Sequence, residues 1–154
     1  MLLLLCAFLL GLVAGLRSML APAVASWSAR LDLFDVGHTP VALMSYRITA
    51  VLFTILAACE LVADKLPKTP SRKQPLPFII RIVSGALVGA TVGAAAGKLL
   101  IGLALGAIGA VVGTLGGAAA RARLAAAFGR DFPAAILEDI TALAIAIFSV
   151  LRLR

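Results

Sequence analysis

The sequence predicts an all-α integral membrane bundle of five transmembrane helices, forming one domain over residues 1–154, and three observations carry that expectation. Hydrophobic residues make up 62% of the 154 and charged residues 14%, against about 45–50% and about 25% in a soluble domain. Five apolar segments reach the ~20 residues that a bilayer crossing takes at ~1.5 Å per residue. Glycines recur inside them at steps of three and four, the spacing that lets helices approach closely in lipid. A chain this short, with a mean hydropathy of +1.11, cannot hide its apolar side chains in a single water-facing globule. A soluble enzyme, a secreted disulfide scaffold and a disordered tail are therefore excluded.

The first segment spans residues 2–27. No Lys or Arg precedes the apolar run from Met1 to Leu16, and the apolar stretch resumes after Ala21-Pro22, so it reads as a retained span rather than a cleaved leader. It ends at Ser26-Trp27-Ser28, with Trp27 suited to the interface. Arg17 is an anomaly inside it. Pro22 frees the carbonyl of Ser18, so the helix should kink or break here, under a cover of protein or a water-filled cavity. Counted from an inner N-terminus, Arg17 lies ~22 Å along the helix. Snorkelling to headgroups competes there with a contact from Arg17 and Ser18 to an anion or lipid phosphate near the outer face.

The second segment, 41–63, follows Thr39-Pro40, a cap and first-turn pair, with Arg47 snorkelling outward. The third, 78–96, follows Pro75 and Pro77. The fourth, 99–120, is separated from it by Gly97-Lys98 alone. A continuous helix over 78–120 would be ~64 Å long, about twice the hydrocarbon thickness, so a tight turn is expected near Gly97. The fifth covers 132–151.

The net charge is +7, from 14 Lys and Arg against 7 Asp and Glu. In a soluble chain that balance would point to nucleic acid. Here the basic residues sit at the ends of apolar segments, where they orient spans and meet lipid headgroups, so membrane lipids and not nucleic acid are the expected partners. The 64–77 loop carries Lys65, Lys68, Arg72 and Lys73, and the 121–131 loop carries Arg121, Arg123 and Arg130. With five spans both loops fall on one side, the cytoplasmic one. The N-terminus is then inside and the 28–40 loop outside. The C-terminus is outside too, with Arg152 and Arg154 running against the rule. Cys6 and Cys59 lie in apolar segments and read as small packing thiols.

Gly85, Gly89, Gly93 and Gly97 form an unbroken small-xxx-small series, and Gly102, Gly106, Gly109, Gly113 and Gly116 alternate steps of four and three. Gly11 and Gly15 repeat the theme. Such stripes bring backbones together, either within one subunit or across a homodimer. The acidic residues do not map between halves of the chain, so no internal repeat is claimed.

Ionisable groups at membrane depth cost about 2.5–3.5 kcal/mol each on insertion scales and face a partner or cavity. Glu60 and Asp64 are four apart and share a helix face. Glu138 and Asp139 begin the fifth span on the same side, and Arg81 points inward at the head of a glycine stripe. Arg123 continues the fourth-span stripe towards them. Together they predict a buried ionic cluster. It is either a salt-bridge clasp or a cation or proton site in which a spare carboxylate takes up and releases its ion. The spacing fits no metal or phosphotransferase motif, the lone histidine (His38) is in the outer loop, and no catalytic residue, metal or cofactor is expected.

Gly-Leu-Arg-Ser-Met-Leu-Ala-Pro (15–22), Glu-Leu-Val-Ala-Asp-Lys-Leu-Pro (60–67), Arg-Ile-Val-Ser-Gly-Ala-Leu (81–87) and Leu-Glu-Asp (137–139) resemble the bacterial family labelled domain of unknown function 4126. The likeness runs over nearly the whole chain and is most specific at 60–67. It implies a small multi-span inner-membrane protein, singles out the same polar residues and brings no activity with it. A transporter or channel-like protein using the carboxylate cluster is the leading expectation. The alternative is a non-catalytic accessory that binds lipid or a partner membrane protein. Neither is an enzyme, and a homodimer is expected.

Overall fold

The computed structural model describes residues 1–64 and 74–153. Among them are six α-helices, one short 3-10 turn (Ala42–Ser45) and no strand. The helices are α1 (Leu2–Leu16), α2 (Leu20–Arg30), α3 (Arg47–Ala63), α4 (Pro75–Ala95), α5 (Leu99–Phe128) and α6 (Asp131–Arg152). Of these, α4, α5 and α6 are long and apolar enough to cross a membrane. The basic residues expected between the second and third spans (Lys65, Lys68, Arg72 and Lys73) lie outside the described residues, as does Arg154.

The first expected span is two helices. Arg17 takes an extended backbone, φ −137 and ψ 106, and α2 starts three residues later. Pro22 is not the point of rupture. It stands in the first turn of α2, where a missing N–H removes nothing the helix needs. The break turns the chain back on itself. Glu60 of α3 meets Ser18 and Met19 at the start of α2, and Thr54, a turn and a half earlier on α3, accepts a hydrogen bond from Trp27 further along α2 at 2.9 Å. These two helices are thus antiparallel. Glu60 meets Arg81 while Phe53, earlier on α3, shares a small cavity with Leu87, later on α4, so α3 is antiparallel to α4.

Two further corrections follow. The second segment forms a 3-10 turn before α3 begins at Arg47. The fourth runs on to Phe128 as a helix of 30 residues, so Arg121 and Arg123 stand on α5 rather than in a loop. Gly129, at φ +66, ends it in the left-handed cap that glycine favours. The tight turn expected near Gly97 is present. Gly97 has φ +64, and the N–H of Lys98 donates to the Gly93 carbonyl at 2.8 Å.

Cys6 Sγ lies 3.7 Å from the Ser149 carbonyl, while Arg17 meets Asp139. α1 and α6 are therefore antiparallel, with Leu2 and Arg152 at one end of the bundle, whereas the five-span count expects the two helices to run parallel across it.

Inside, the helices touch through small residues. A Cβ on Gly89 would run into the Gly102 carbonyl and stand 2.7 Å from Gly106 Cα, while one on Gly11 would stand 2.7 Å from the same Cα. Gly85, Gly93, Gly109 and Gly113 are as closely met, whereas Gly116 has nothing within 4 Å. α6 buries Ala134, Ala135, Ala142, Ala146 and Ser149. Ile48, Ile55, Leu100, Ile108, Ile140 and Leu151 are each more than half exposed. Leu10, Val13, Met44, Val88 and Val92 are buried beside these small residues, and the bulky apolar exterior is what helices present to lipid.

Candidate functional site

A broken helix leaves carbonyls at one end and N–H groups at the other without partners. Here each set meets a charge from a neighbouring helix. Arg81 of α4 donates from one guanidinium nitrogen to the carbonyls of Gly15 and Leu16, at 2.9 and 2.7 Å. Thr114 of α5 adds a hydrogen bond to the Gly15 carbonyl at 3.2 Å. On the other side of the break, the N–H groups of Ser18 and Met19 donate to the two oxygens of Glu60, at 2.8 and 2.9 Å, and the Ser18 hydroxyl donates to Glu60 at 2.7 Å. A cation thus faces the carbonyl end of α1 and an anion the amide end of α2, the arrangement both helix dipoles favour. Arg81 and Glu60 themselves approach to 3.6 Å. The Ser84 hydroxyl donates to the Ser18 carbonyl, the acceptor that Pro22 leaves unused.

Arg17 sits in the gap. It is 1% exposed, and its two terminal nitrogens contact different acids, NH1 with Asp64 at the end of α3 and NH2 with Asp139 on α6. The extended backbone at residue 17 turns the side chain off the α1 helical path and between those helices. Beside this triad, Arg121 of α5 forks onto Asp131, at 2.9 and 2.6 Å, and reaches Glu138 at 3.3 Å. Two ion-paired groups therefore lie side by side, Asp131–Arg121–Glu138, with Asp131 62% exposed, and Asp139–Arg17–Asp64, joined through the neighbouring acids Glu138 and Asp139. By helical rise Asp139 is ~12 Å from the start of α6 and ~20 Å from its end, well within the thickness of a bilayer.

All five residues expected in the cluster (Glu60, Asp64, Arg81, Glu138 and Asp139) are in this layer. Arg17 and Ser18 are there as well, not at an outer headgroup level. Where an anion or lipid phosphate is expected from the sequence, Arg17 meets Asp64 and Asp139, and Ser18 meets Glu60. The opposite depth had followed from treating 2–27 as one helix. Arg121 occupies the place proposed for Arg123, which is exposed. The signal for Arg121 was in the sequence, since Gly109, Gly113, Gly117 and Arg121 advance by four along one face. Thr114 and Ser84, which bond the broken backbone, had no such signal.

Towards α2, α3 and α4 the layer is backed by an apolar cavity of about 230 Å³, walled by Met19, Pro22, Phe53, Ile79, Val83 and Leu87. Among the described residues no group of three or more His, Cys, Asp or Glu is placed to hold a metal ion.

The fold and this layer define a class: a helical protein of membrane type, apolar outside, packed through small residues inside, with a buried layer of charge at a helix break. Residues 4–152 match the family described as Domain of unknown function (DUF4126), and the chain belongs to that family. No curated protein and no solved structure matches it.

Proposed function

We propose that this protein is a small transporter or channel-like protein of the bacterial inner membrane, non-catalytic, handling a proton or cation at the Asp64–Arg17–Asp139 triad. The observation that carries the reading is Arg17. One buried guanidinium is shared by two carboxylates from different helices, so the triad carries a net charge of −1 when both acids are ionised. A buried negative charge without a counter-ion is costly and takes up a proton or a cation. The setting supports it too, because discontinuous helices in transporters bring ion sites to membrane depth.

The membrane arrangement belongs to the same proposal. α1, at 15 residues or ~22 Å, is short for a crossing and is read as half of a re-entrant hairpin with α2, while α3, α4, α5 and α6 span. Placing the basic α5–α6 end in the cytoplasm by the positive-inside rule puts both chain ends on the outer side. Lipids are the surrounding partner, nucleic acid is not a ligand, and the protein works as a homodimer.

Charge movement tests this directly. Protein reconstituted on a solid-supported membrane should give a capacitive current under an ion gradient, and Asp139→Asn should abolish it while eluting at the wild-type size. Absence of current from well-folded wild-type protein refutes transport. The second reading, an accessory held together by a salt-bridge clasp, is favoured by the pairing of each of the four clustered carboxylates with an arginine, and it expects that silent result.

A further inference from the structure

We infer that the ion handled at this triad is the proton and not a metal cation, an inference that rests on the transport reading above. A hard cation takes about six or more oxygens, some of them water, and transporters with broken helices draw many of the protein oxygens from unwound carbonyls. Here those carbonyls already accept side-chain hydrogen bonds. Gly15 accepts from Arg81 and Thr114, Leu16 from Arg81, and Ser18 from Ser84. Both oxygens of Glu60 are committed to the Ser18 and Met19 amides. What remains is Asp64 and Asp139, each held against the positive guanidinium of Arg17. A metal ion would have to sit beside that buried cation with two carboxylates as its protein ligands.

A proton needs a single oxygen lone pair. Taken up by Asp139, it forms one O–H bond and turns the carboxylate into a neutral acid. Arg17 keeps Asp64 as its ionised partner, and the triad goes from −1 to neutral. Release breaks that O–H bond and restores the charge. No electrons move, and the proton is the only species exchanged. A separate observation points the same way: Arg17 Nε is sealed from solvent and makes no hydrogen bond to the described residues. A buried donor left so costs ~1–3 kcal/mol and calls for an acceptor, which a cation is not.

The ionisable groups of the described residues that line the layer are Arg17 from α1, Glu60 and Asp64 from α3, Arg81 from α4, Arg121 from α5, and Asp131, Glu138 and Asp139 from α6. Of the acids, Glu60 is bound by backbone amides and Asp131 and Glu138 by Arg121. Asp139, with 20% of its side chain exposed, is the entry point and Asp64, at 15%, the alternate acceptor.

Proteoliposomes loaded with a pH dye, and parallel vesicles given radioactive sodium, potassium or magnesium, separate the outcomes. The expected result is acidification driven by an imposed potential, metal uptake no greater than in empty vesicles, and loss of the pH signal in Asp139→Asn. Metal uptake without a pH change overturns the proton assignment and leaves transport standing. No flux of any ion overturns both. Should Asp139→Asn fail to fold, infrared difference spectra of wild type and Asp64→Asn after a pH jump decide. The carboxylic acid C=O band of a protonated buried Asp supports the assignment, and its absence from wild type refutes it.

Discussion

Replacing Glu60 with Gln changes one oxygen to an NH2 and removes a charge, while keeping size and shape. Each Glu60 oxygen accepts a backbone N–H, from Ser18 at 2.8 Å and Met19 at 2.9 Å, and the side chain is 11% exposed, so water does little to screen or replace these bonds. The amide of Gln retains one acceptor and turns a donor towards a donor in the other position. Hydrogen bonds to a charged group contribute ~1.5–3 kcal/mol each, so losing one of the two and weakening the other removes ~2–5 kcal/mol. For a chain of this size, ~2–4 °C per kcal/mol converts that into a melting temperature lower by ~4–20 °C. The assay is thermal unfolding of detergent-purified protein followed by fluorescence or aggregation, with Asp32→Asn in the distant α2–α3 connection as a control. A Glu60→Gln protein melting together with wild type would refute the reasoning. The α2 amides would then not depend on a carboxylate, and the break would be held by something other than this cap.

Gly89→Ala puts a methyl against the Gly102 carbonyl and 2.7 Å from Gly106 Cα, so α4 and α5 must separate, at ~1–3 kcal/mol. Gly116→Ala, where nothing lies within 4 Å, should instead gain ~0.5–1 kcal/mol of helix stability; equal melting temperatures for the two variants would contradict the packing. Reporter fusions to the two chain ends should read out the same compartment, because α1 and α6 are antiparallel; signals from opposite compartments would rule out this arrangement.

The sequence made the polar layer legible residue by residue but misjudged how it is assembled. Glu60, Asp64, Arg81, Glu138 and Asp139 stand out because charges in apolar segments are expensive and need one another. The partner of Asp64 and Asp139 was missed because hydropathy does not register direction. Residues 2–27 have the length of one span whether the chain continues or turns back. Only Arg17 and Ser18 mark the reversal, and Pro22, the stronger breaker on paper, is harmless in a first turn. The end of α5 was misplaced for a related reason. Arg121 and Arg123 resembled the start of a loop, yet the Ala-rich stretch around them is strongly helix-forming, and the helix continues until Gly129 can cap it. Gly116 was assigned to the stripe on a three-residue step, while the contact face follows Gly109 and Gly113.

The clasp and the ion site divide the layer between them. Arg81 and Glu60 spend their hydrogen-bonding groups on backbone: carbonyls of α1 in one case, amides of α2 in the other. Altering the charge of either exposes a broken helix end and loosens the fold. Asp64 and Asp139 make their contacts with the side chain of Arg17, and the backbone does not depend on them for the break to persist. Because one guanidinium serves both, neutralising either acid leaves an intact ion pair behind, not a stranded charge, which keeps the change far below the ~3–5 kcal/mol of breaking a buried pair outright. The ends of the break are thus assigned fixed charges in the proposal, and its middle a changing one. On the proposed proton reading, substitutions at Glu60 and Arg81 lower stability, and substitutions at Asp64 and Asp139 change the pH signal in a protein that still folds.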